Sequence, residues 1–389
     1  MRKVYLDHNA TTPARPEAIA AIQPFLGEMF GNPSSLHFAG REVRKAMEDA
    51  REKIASFFGC LPPEVLFTSS GTESDNLAIK GTAYRPGNEG KHIVTSQVEH
   101  KAVISTCRFL EKRGYRVTYV PVNRQGIVEP DAVRKAIEPD TMLVSIMAAN
   151  NETGCVMPIA EIGEIARNAG ALMHTDAVQA TGRIPLDWNN LPVDMLTFSG
   201  HKNNALKGAG GLILRKGVKI SSIIHGGRQE MGLRGGTENI VGIVSMGASF
   251  SVLKEKMDSE AADIRRLRDK LENGINERVP DVILNGHPTQ RLPNTLNVSF
   301  RYVEGESVLL HLDMLGIACS TGSACSSNAI EASLVLRAMG MDTADAKGAL
   351  RFSLGYGNTD EDISYTIDAL EKSVGKLRAI SPLHQPRKT

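Results

Sequence analysis

Between about residues 60 and 215, short apolar, β-branched runs alternate with stretches of helical periodicity. No other feature restricts the fold of this chain as strongly. The strand candidates are 65–68, 92–96, 116–120, 142–147, 172–176, 195–199 and 211–214. Helical candidates at 73–82, 101–113, 130–137 and 159–169 lie between several of them. Such alternation lays strands parallel in one sheet, with helices packed on its faces. The expected fold class is therefore α/β with a largely parallel sheet. Ligands of these sheets collect outside the carboxyl ends of the strands. Glu73, Glu99-His100, Asn150-Asn151, Asp176 and the run Ser199 to Lys202 all fall at or just past such an end.

The texture changes after Gly235-Gly236. Leu253, Met257, Ile264, Leu267, Leu271 and Ile275 recur at near-helical spacing in a long charged helix. A second, smaller unit follows. Leu296, Val298 and Phe300 alternate with Thr295, Asn297 and Ser299, which predicts a strand with one wet face. The run 351–354 predicts another strand, and 360–377 a terminal helix. The expected division is a large unit over 14–260 and a small α+β unit over 261–389. Residues 1–13 are assigned to the small unit, to which a short N-terminal strand returns. The polar tail from 382 onward is expected to fray.

Composition excludes several classes. A net charge of +1 gives no electrostatic case for nucleic acid or an anionic membrane as a direct partner. Five cysteines, an odd number, are too few for a disulfide framework and fit a reducing compartment. Residues 1–7 carry no apolar signal core, and no apolar run approaches the roughly 20 residues that span a bilayer. The expectation is a soluble, cytoplasmic protein.

Two motifs carry chemistry. Lys202 ends a strand, beside His201 and close behind Ser199. A lysine held there, once it loses its proton, forms a Schiff base with an aldehyde cofactor. Lys207 is a nearby competitor that spacing does not exclude. Cys325 sits in the small, polar run Ser320-Thr321-Gly322-Ser323-Ala324-Cys325-Ser326-Ser327. Structural thiols prefer apolar surroundings, so this setting predicts a mobile, exposed nucleophile. Cys319 and Cys325 lack the spacing of a zinc site, and no intrinsic metal centre is expected. Cys319 reads as core, and Cys60, Cys107 and Cys155 as filler.

Other residues admit two readings. Thr68-Ser69-Ser70-Gly71-Thr72-Glu73 joins a strand to a helix, as a phosphate seat or as an ordinary cap. It lacks the Gly-Lys-Ser/Thr ending of a nucleotide-binding P-loop. Asp176 is a helix cap or the partner of a pyridine nitrogen. His100 is a structural histidine or a ring that lies on a cofactor. Asn151 and Gln179 are surface amides or contacts to ring substituents. Arg351 is a salt-bridge partner or a clamp on a substrate carboxylate.

Taken in order along nearly the whole chain, these motifs resemble the cysteine desulfurases of iron–sulfur cluster assembly and nitrogen fixation. Those enzymes fall within the class-V, pyridoxal-phosphate-dependent aminotransferase-like fold (fold type I). The resemblance runs from Tyr5-Leu6-Asp7-His8-Asn9-Ala10-Thr11-Thr12-Pro13 through Gly31-Asn32-Pro33-Ser34-Ser35 and Ser74-Asp75-Asn76. It continues through Glu99-His100-Lys101, Asn150-Asn151-Glu152 and Ser199-Gly200-His201-Lys202. Arg234-Gly235-Gly236-Thr237, Gly322-Ser323-Ala324-Cys325 and Arg351-Phe352-Ser353-Leu354-Gly355 complete it. The Thr321-to-Cys325 loop resembles the housekeeping or nitrogen-fixation branch rather than the selenocysteine lyase-like one.

The resemblance implies pyridoxal 5'-phosphate on Lys202. Gly71, Thr72, Ser199 and His201 would serve its phosphate, and Thr237 would reach the phosphate of the other subunit of a homodimer. His100 would stack on the ring, Asp176 would face its nitrogen, and Asn151 and Gln179 would contact its oxygen. Arg351, with Asn151, would hold L-cysteine. Cys325 would take the sulfur as a persulfide and pass it to an iron–sulfur scaffold protein or another sulfur acceptor, with Cys325 as a transient cluster ligand there. The alternatives are another pyridoxal-phosphate enzyme, such as a selenocysteine lyase or aminotransferase, and a non-catalytic scaffold of the same fold. One run departs from the pattern. Relatives carry Gly-Pro before the Lys-Gly that follows the cofactor lysine, whereas this chain reads Asn203-Asn204-Ala205-Leu206 before Lys207-Gly208. Loss of Gly and Pro changes the backbone preference of that turn.

Overall fold

The computed structural model describes residues 2–321, 332–382 and 384. In chain order its strands begin with β1 (Val4–Tyr5), β2 (Val65–Thr68), β3 (His92–Ser96) and β4 (Arg116–Val120). Next come β5 (Thr141–Ser145), β6 (Leu172–Asp176), β7 (Met195–Ser199) and β8 (Gly210–Leu214). The last are β9 (Val282–Leu284), β10 (Thr295–Phe300), β11 (Ile317–Ala318) and β12 (Ala349–Ser353). The α-helices are α1 (Pro16–Ile22), α2 (Phe38–Phe58), α3 (Gly71–Ala83), α4 (Lys101–Glu111), α5 (Pro130–Ala136) and α6 (Ile159–Asn168). They continue with α7 (Ile240–Arg278), α8 (Gly305–Met314), α9 (Leu334–Ala338), α10 (Thr343–Lys347) and α11 (Asp360–Ile380).

Seven strands form the main sheet, in the order β2-β8-β7-β6-β5-β3-β4. Only β8 runs against its neighbours, so the sheet is mostly parallel, as the alternation of elements implies. Every residue of β3, β5 and β7 is buried. Two apolar clusters account for this. One gathers Ile54, Phe58, Val144, Phe198 and Phe250, and the other Leu77, Ile93, Val103, Leu143 and Leu212. A central parallel strand covered by helices on both faces has no wet side, hence the absence of a polar-apolar alternation in these strands.

A third cluster surrounds the three-stranded sheet β12-β10-β9 and contains Leu271, Ile275, Val298, Phe300, Phe352 and Leu370. Val4 and Leu6 join it, because β1 pairs in parallel with β11. The long helix α7 contributes Ile243, Met246 and Phe250 to the first cluster and Leu267, Leu271 and Ile275 to the third. No helix among the described residues is long and apolar enough to cross a membrane.

The wet face expected for β10 is absent, because all six of its residues are buried. Its polar side chains face partners instead of water. Asn297 donates to the Glu152 carbonyl at 3.0 Å and accepts from Asn285 at 2.8 Å. Ser299 also accepts from Asn285, and Thr295 accepts from Asn9 at 3.0 Å. Polar groups that satisfy one another can be buried on a strand face.

Candidate active site

The main sheet brings four adjacent strand ends together. In space the order is β7, β6, β5, β3. Past those ends stand Lys202, Asp176 with Gln179, Asn151, and His100. The N-terminus of α3, following β2, closes one side. Ser70 caps that helix by accepting the backbone N–H of Glu73 at 3.2 Å. The remaining first-turn N–H groups, at the positive end of the helix dipole, suit an anion. Gly71 is buried there against Val178, whose methyl carbon would lie 2.8 Å from any added Cβ. Only glycine allows this helix end so close to the carboxyl ends of β6 and β7. Thr72 is exposed.

Lys202 is half-buried and Lys207 is exposed, which separates the two lysines that spacing left open. The Lys202 amine donates to the carbonyls of Asn9 and Ala10 at 2.5 and 2.6 Å. The Asn9 carbonyl also accepts the Gln179 amide at 3.0 Å. Asn9 is itself fixed, donating its side-chain amide to the Asn151 carbonyl at 3.2 Å and to Thr295, and accepting from Asn294. This N-terminal residue thus ties the lysine, two site amides and the smaller sheet into one network.

The turn after Lys202 is held by asparagine hydrogen bonds. Asn204 adopts a left-handed backbone (φ 57°), which asparagine tolerates better than most residues. Its side chain donates to the Pro13 carbonyl, and its N–H to Thr12, both within 2.9 Å. Asn203 donates to the Ser199 carbonyl at 2.9 Å. Two asparagine side chains therefore anchor this turn.

His100 caps α4 by accepting the Ala102 N–H at 3.2 Å. One ligand atom each from His100, Asp75 and Asp176 lies within 4.8 Å of the other two. Asp176 accepts the Val178 N–H at 2.9 Å. Burial raises its carboxyl above the usual range, while the positive charges of His100 and Lys202 pull it down. Burial, with the nearby charges of Lys202 and Lys207, lowers His201 to about 4. His201 therefore stands neutral near pH 7, its ring nitrogen 3.1 Å from the Thr11 hydroxyl.

Arg351 enters from β12. Its guanidinium donates to the Asp7 carboxylate at 2.7 Å and to the Asn151 carbonyl at 2.9 Å. Thr237 is exposed in the turn before α7. The neighbouring Arg234 pairs with Glu73 in the first turn of α3 at 2.9 Å, which holds that turn near the helix end. Cys325 lies outside the described residues. On either side of that segment, Ser320 pairs with Arg351 across a β-bridge, and Ser333 donates to the Glu152 carboxylate at 2.5 Å. Cys319, expected in the core, is half-buried against the third cluster. Cys107 and Cys155 are buried, and Cys60 half-buried.

Asp75, Glu99, Glu152 and Asn9 are site neighbours to which sequence reasoning gave no role. Each sits inside a motif of the resemblance, but nothing in its spacing announces burial beside the site.

The residues fit pyridoxal phosphate. Ser199 Oγ and Gln179 Oε1 are buried polar atoms without a hydrogen-bond partner among the described residues. Buried polar atoms are rarely left so unless something fills the need. They flank a helix N-terminus suited to a phosphate, a lysine suited to an aldehyde and a carboxyl suited to a pyridine nitrogen.

Comparison with known proteins agrees. The aminotransferase class-V family model matches residues 4–366. A cysteine desulfurase IscS of Dictyoglomus turgidum is 52% identical, across 99% of this chain and 98% of its own length. A cysteine desulfurase IscS of Methanosarcina thermophila is 48% identical, across 98% of this chain and 94% of its own. A solved NifS-like protein superposes with a TM-score of 0.91 at 38% identity, across 97% of this chain and all of its own. The chain belongs to the class-V aminotransferase family, with the fold type I architecture. Within that family it is a pyridoxal-phosphate-dependent cysteine desulfurase.

Proposed function

We propose that this chain converts L-cysteine to L-alanine with Lys202, Asp176, His100, Arg351 and Cys325 in distinct roles, and passes the sulfur to an iron–sulfur scaffold protein or a related acceptor. The observation that carries the assignment of roles is the convergence at four neighbouring strand ends. There Lys202 shares the Asn9 carbonyl with Gln179, and Asp176 stands within 4.8 Å of His100.

Bound there, pyridoxal phosphate supplies an electron sink that labilises bonds at the α and β carbons of an amino acid. Gly71, Thr72, Ser199 and His201 would hold its phosphate, and Lys202 its aldehyde carbon. Asp176 would keep a proton on the pyridine nitrogen. His100 would pack on the ring, and Asn151 and Gln179 would orient its oxygen. Arg351 binds the substrate carboxylate, for which a guanidinium offers two parallel donors. The Lys202 amine, once released, takes the proton from Cα and returns one to the product. The Cys325 thiolate bonds to the substrate sulfur as the Cβ–S bond breaks, and the electron pair left at Cβ takes a proton to give alanine. The sulfur stays on Cys325 as a persulfide, with no external oxidant or reductant.

Thr237 reaches the phosphate site of a second copy, so the working form is a homodimer. Its place on an exposed turn that Arg234 holds against α3 supports this reading. The proposed place of work is the cytoplasm. The test is a visible spectrum of the purified protein, followed by L-cysteine. A cofactor band that shifts as alanine appears supports the reading. Colourless protein that cannot take up the cofactor refutes it. Sedimentation at micromolar concentration checks the dimer.

A further inference from the structure

Asp75, on the second turn of α3, is the least expected group at this site. It is 1% exposed, and Asp176 is 5% exposed. A carboxyl oxygen of each lies within 4.8 Å of the other. Two buried carboxyls this close disfavour each other's ionisation, so that one proton is retained more readily than on either alone.

The surroundings decide which acid keeps it. Asp176 accepts the Val178 N–H and faces His100 and Lys202, all of which favour its anion. Asp75 has less support. Its Oδ1 is buried without a hydrogen-bond partner among the described residues. The nearest ring, His174 on β6, stands 3.6 Å away, beyond hydrogen-bond reach. That ring already engages Ser145 and Thr197 at 2.8 and 3.0 Å, and burial lowers it to about 3, so it brings no positive charge. Thr197 on β7 supplies a hydrogen bond to Asp75, and Glu99, ahead of α4, is a further buried acid. Burial and the neighbouring Asp176 push the Asp75 carboxyl far up. Burial raises Glu99 to about 8, so it too is mainly protonated at neutral pH.

We propose that Asp75 is a positioning residue for the pyridine-nitrogen carboxylate: a carboxyl that stays protonated, so that the negative charge of the two acids rests on Asp176. This rests on the reading of Asp176 above and adds a second acid to it. A protonated Asp75 lets the first turns of α3 pack against β6 without a second anion beside Asp176, where it would compete for a proton that Asp176 is proposed to hold on the cofactor.

The test is isotope-edited infrared difference spectroscopy of the holoenzyme at neutral pH, comparing the parent with Asp75→Asn. Both proteins are labelled at the aspartate carboxyl carbons. The expected difference is loss of the carbonyl stretch of a protonated carboxyl. Loss of the paired stretches of a carboxylate overturns the proposal. Should Asp75→Asn not fold, carbon NMR of the labelled parent decides. An aspartyl resonance in the protonated range at neutral pH is expected, and its absence overturns the proposal. Asp176→Asn separates the two claims. It should weaken cofactor binding about tenfold or more and alter the visible band. If it does neither, the reading of Asp176 fails, whatever the state of Asp75.

Discussion

Arg351 donates to the Asp7 carboxylate at 2.7 Å from one terminal nitrogen and to the Asn151 carbonyl from the other, while its Nε is buried without a partner among the described residues. The guanidinium is thus oriented from two sides, by the N-terminal segment and by the loop after β5. Of the two readings open in the sequence, the structure shows the salt bridge; the clamp belongs to the proposed function. The salt bridge fixes the plane of a guanidinium that the proposed clamp would require to be held.

Arg351→Lys is expected to raise KM for L-cysteine about tenfold or more, with a smaller change in kcat. An ammonium keeps the charge but loses the planar fork. Steady-state kinetics by alanine release measure both constants. A folded variant with parental KM would remove Arg351 from the substrate site.

Borohydride reduction of the holoenzyme should fix the cofactor to the peptide carrying Lys202. Lys202→Ala should leave no covalent cofactor, whereas Lys207→Ala should behave as the parent, because Lys207 is exposed. Peptide mapping reads the outcome. Label on any other lysine sinks the assignment.

The sheet was legible because central parallel strands are buried on both faces and so are rich in apolar and β-branched residues, as the wholly buried β3, β5 and β7 are. Site residues were legible where chemistry coincides with a strand end, as for Lys202 and Asp176. Long-range pairing was less so. β1 has two residues, too few for any periodicity, and its place beside β11 is decided by packing of Val4 and Leu6. β10 misled because alternation of polar and apolar residues predicts water on one face, and here that face meets Asn285, Asn9 and the Glu152 carbonyl. Asp75 was hidden for the same reason. A charged residue in a helix reads as solvated until the fold places a second buried acid beside it.

Cys325→Ala should reduce alanine formation from L-cysteine by about a hundredfold or more, while the cofactor stays bound. Intact-mass spectrometry after a single turnover should find one added sulfur atom on the parent and none on the variant. Full turnover by the variant would favour a lyase that needs no thiol.

Glu152 gives a prediction about stability that is independent of turnover. It accepts the Ser333 hydroxyl, and Ser333 in turn caps α9 by accepting the Leu336 N–H at 3.2 Å. Burial raises its carboxyl from 4.5 to about 7, against the opposing pull of Ser333 and of the charges on Arg351, Lys101 and His100. Between those two values the folded chain holds a proton that the unfolded chain has lost. Its contribution to stability is therefore complete below 4.5 and disappears as pH rises to about 7. A glutamine keeps an oxygen for Ser333 and has no charge to bury. Glu152→Gln should then be more stable than the parent by about 1–3 kcal/mol near pH 8 and nearly equal to it near pH 5. Urea unfolding at the two pH values measures the difference. An equal gap at both would mean that Glu152 does not change its ionisation on unfolding.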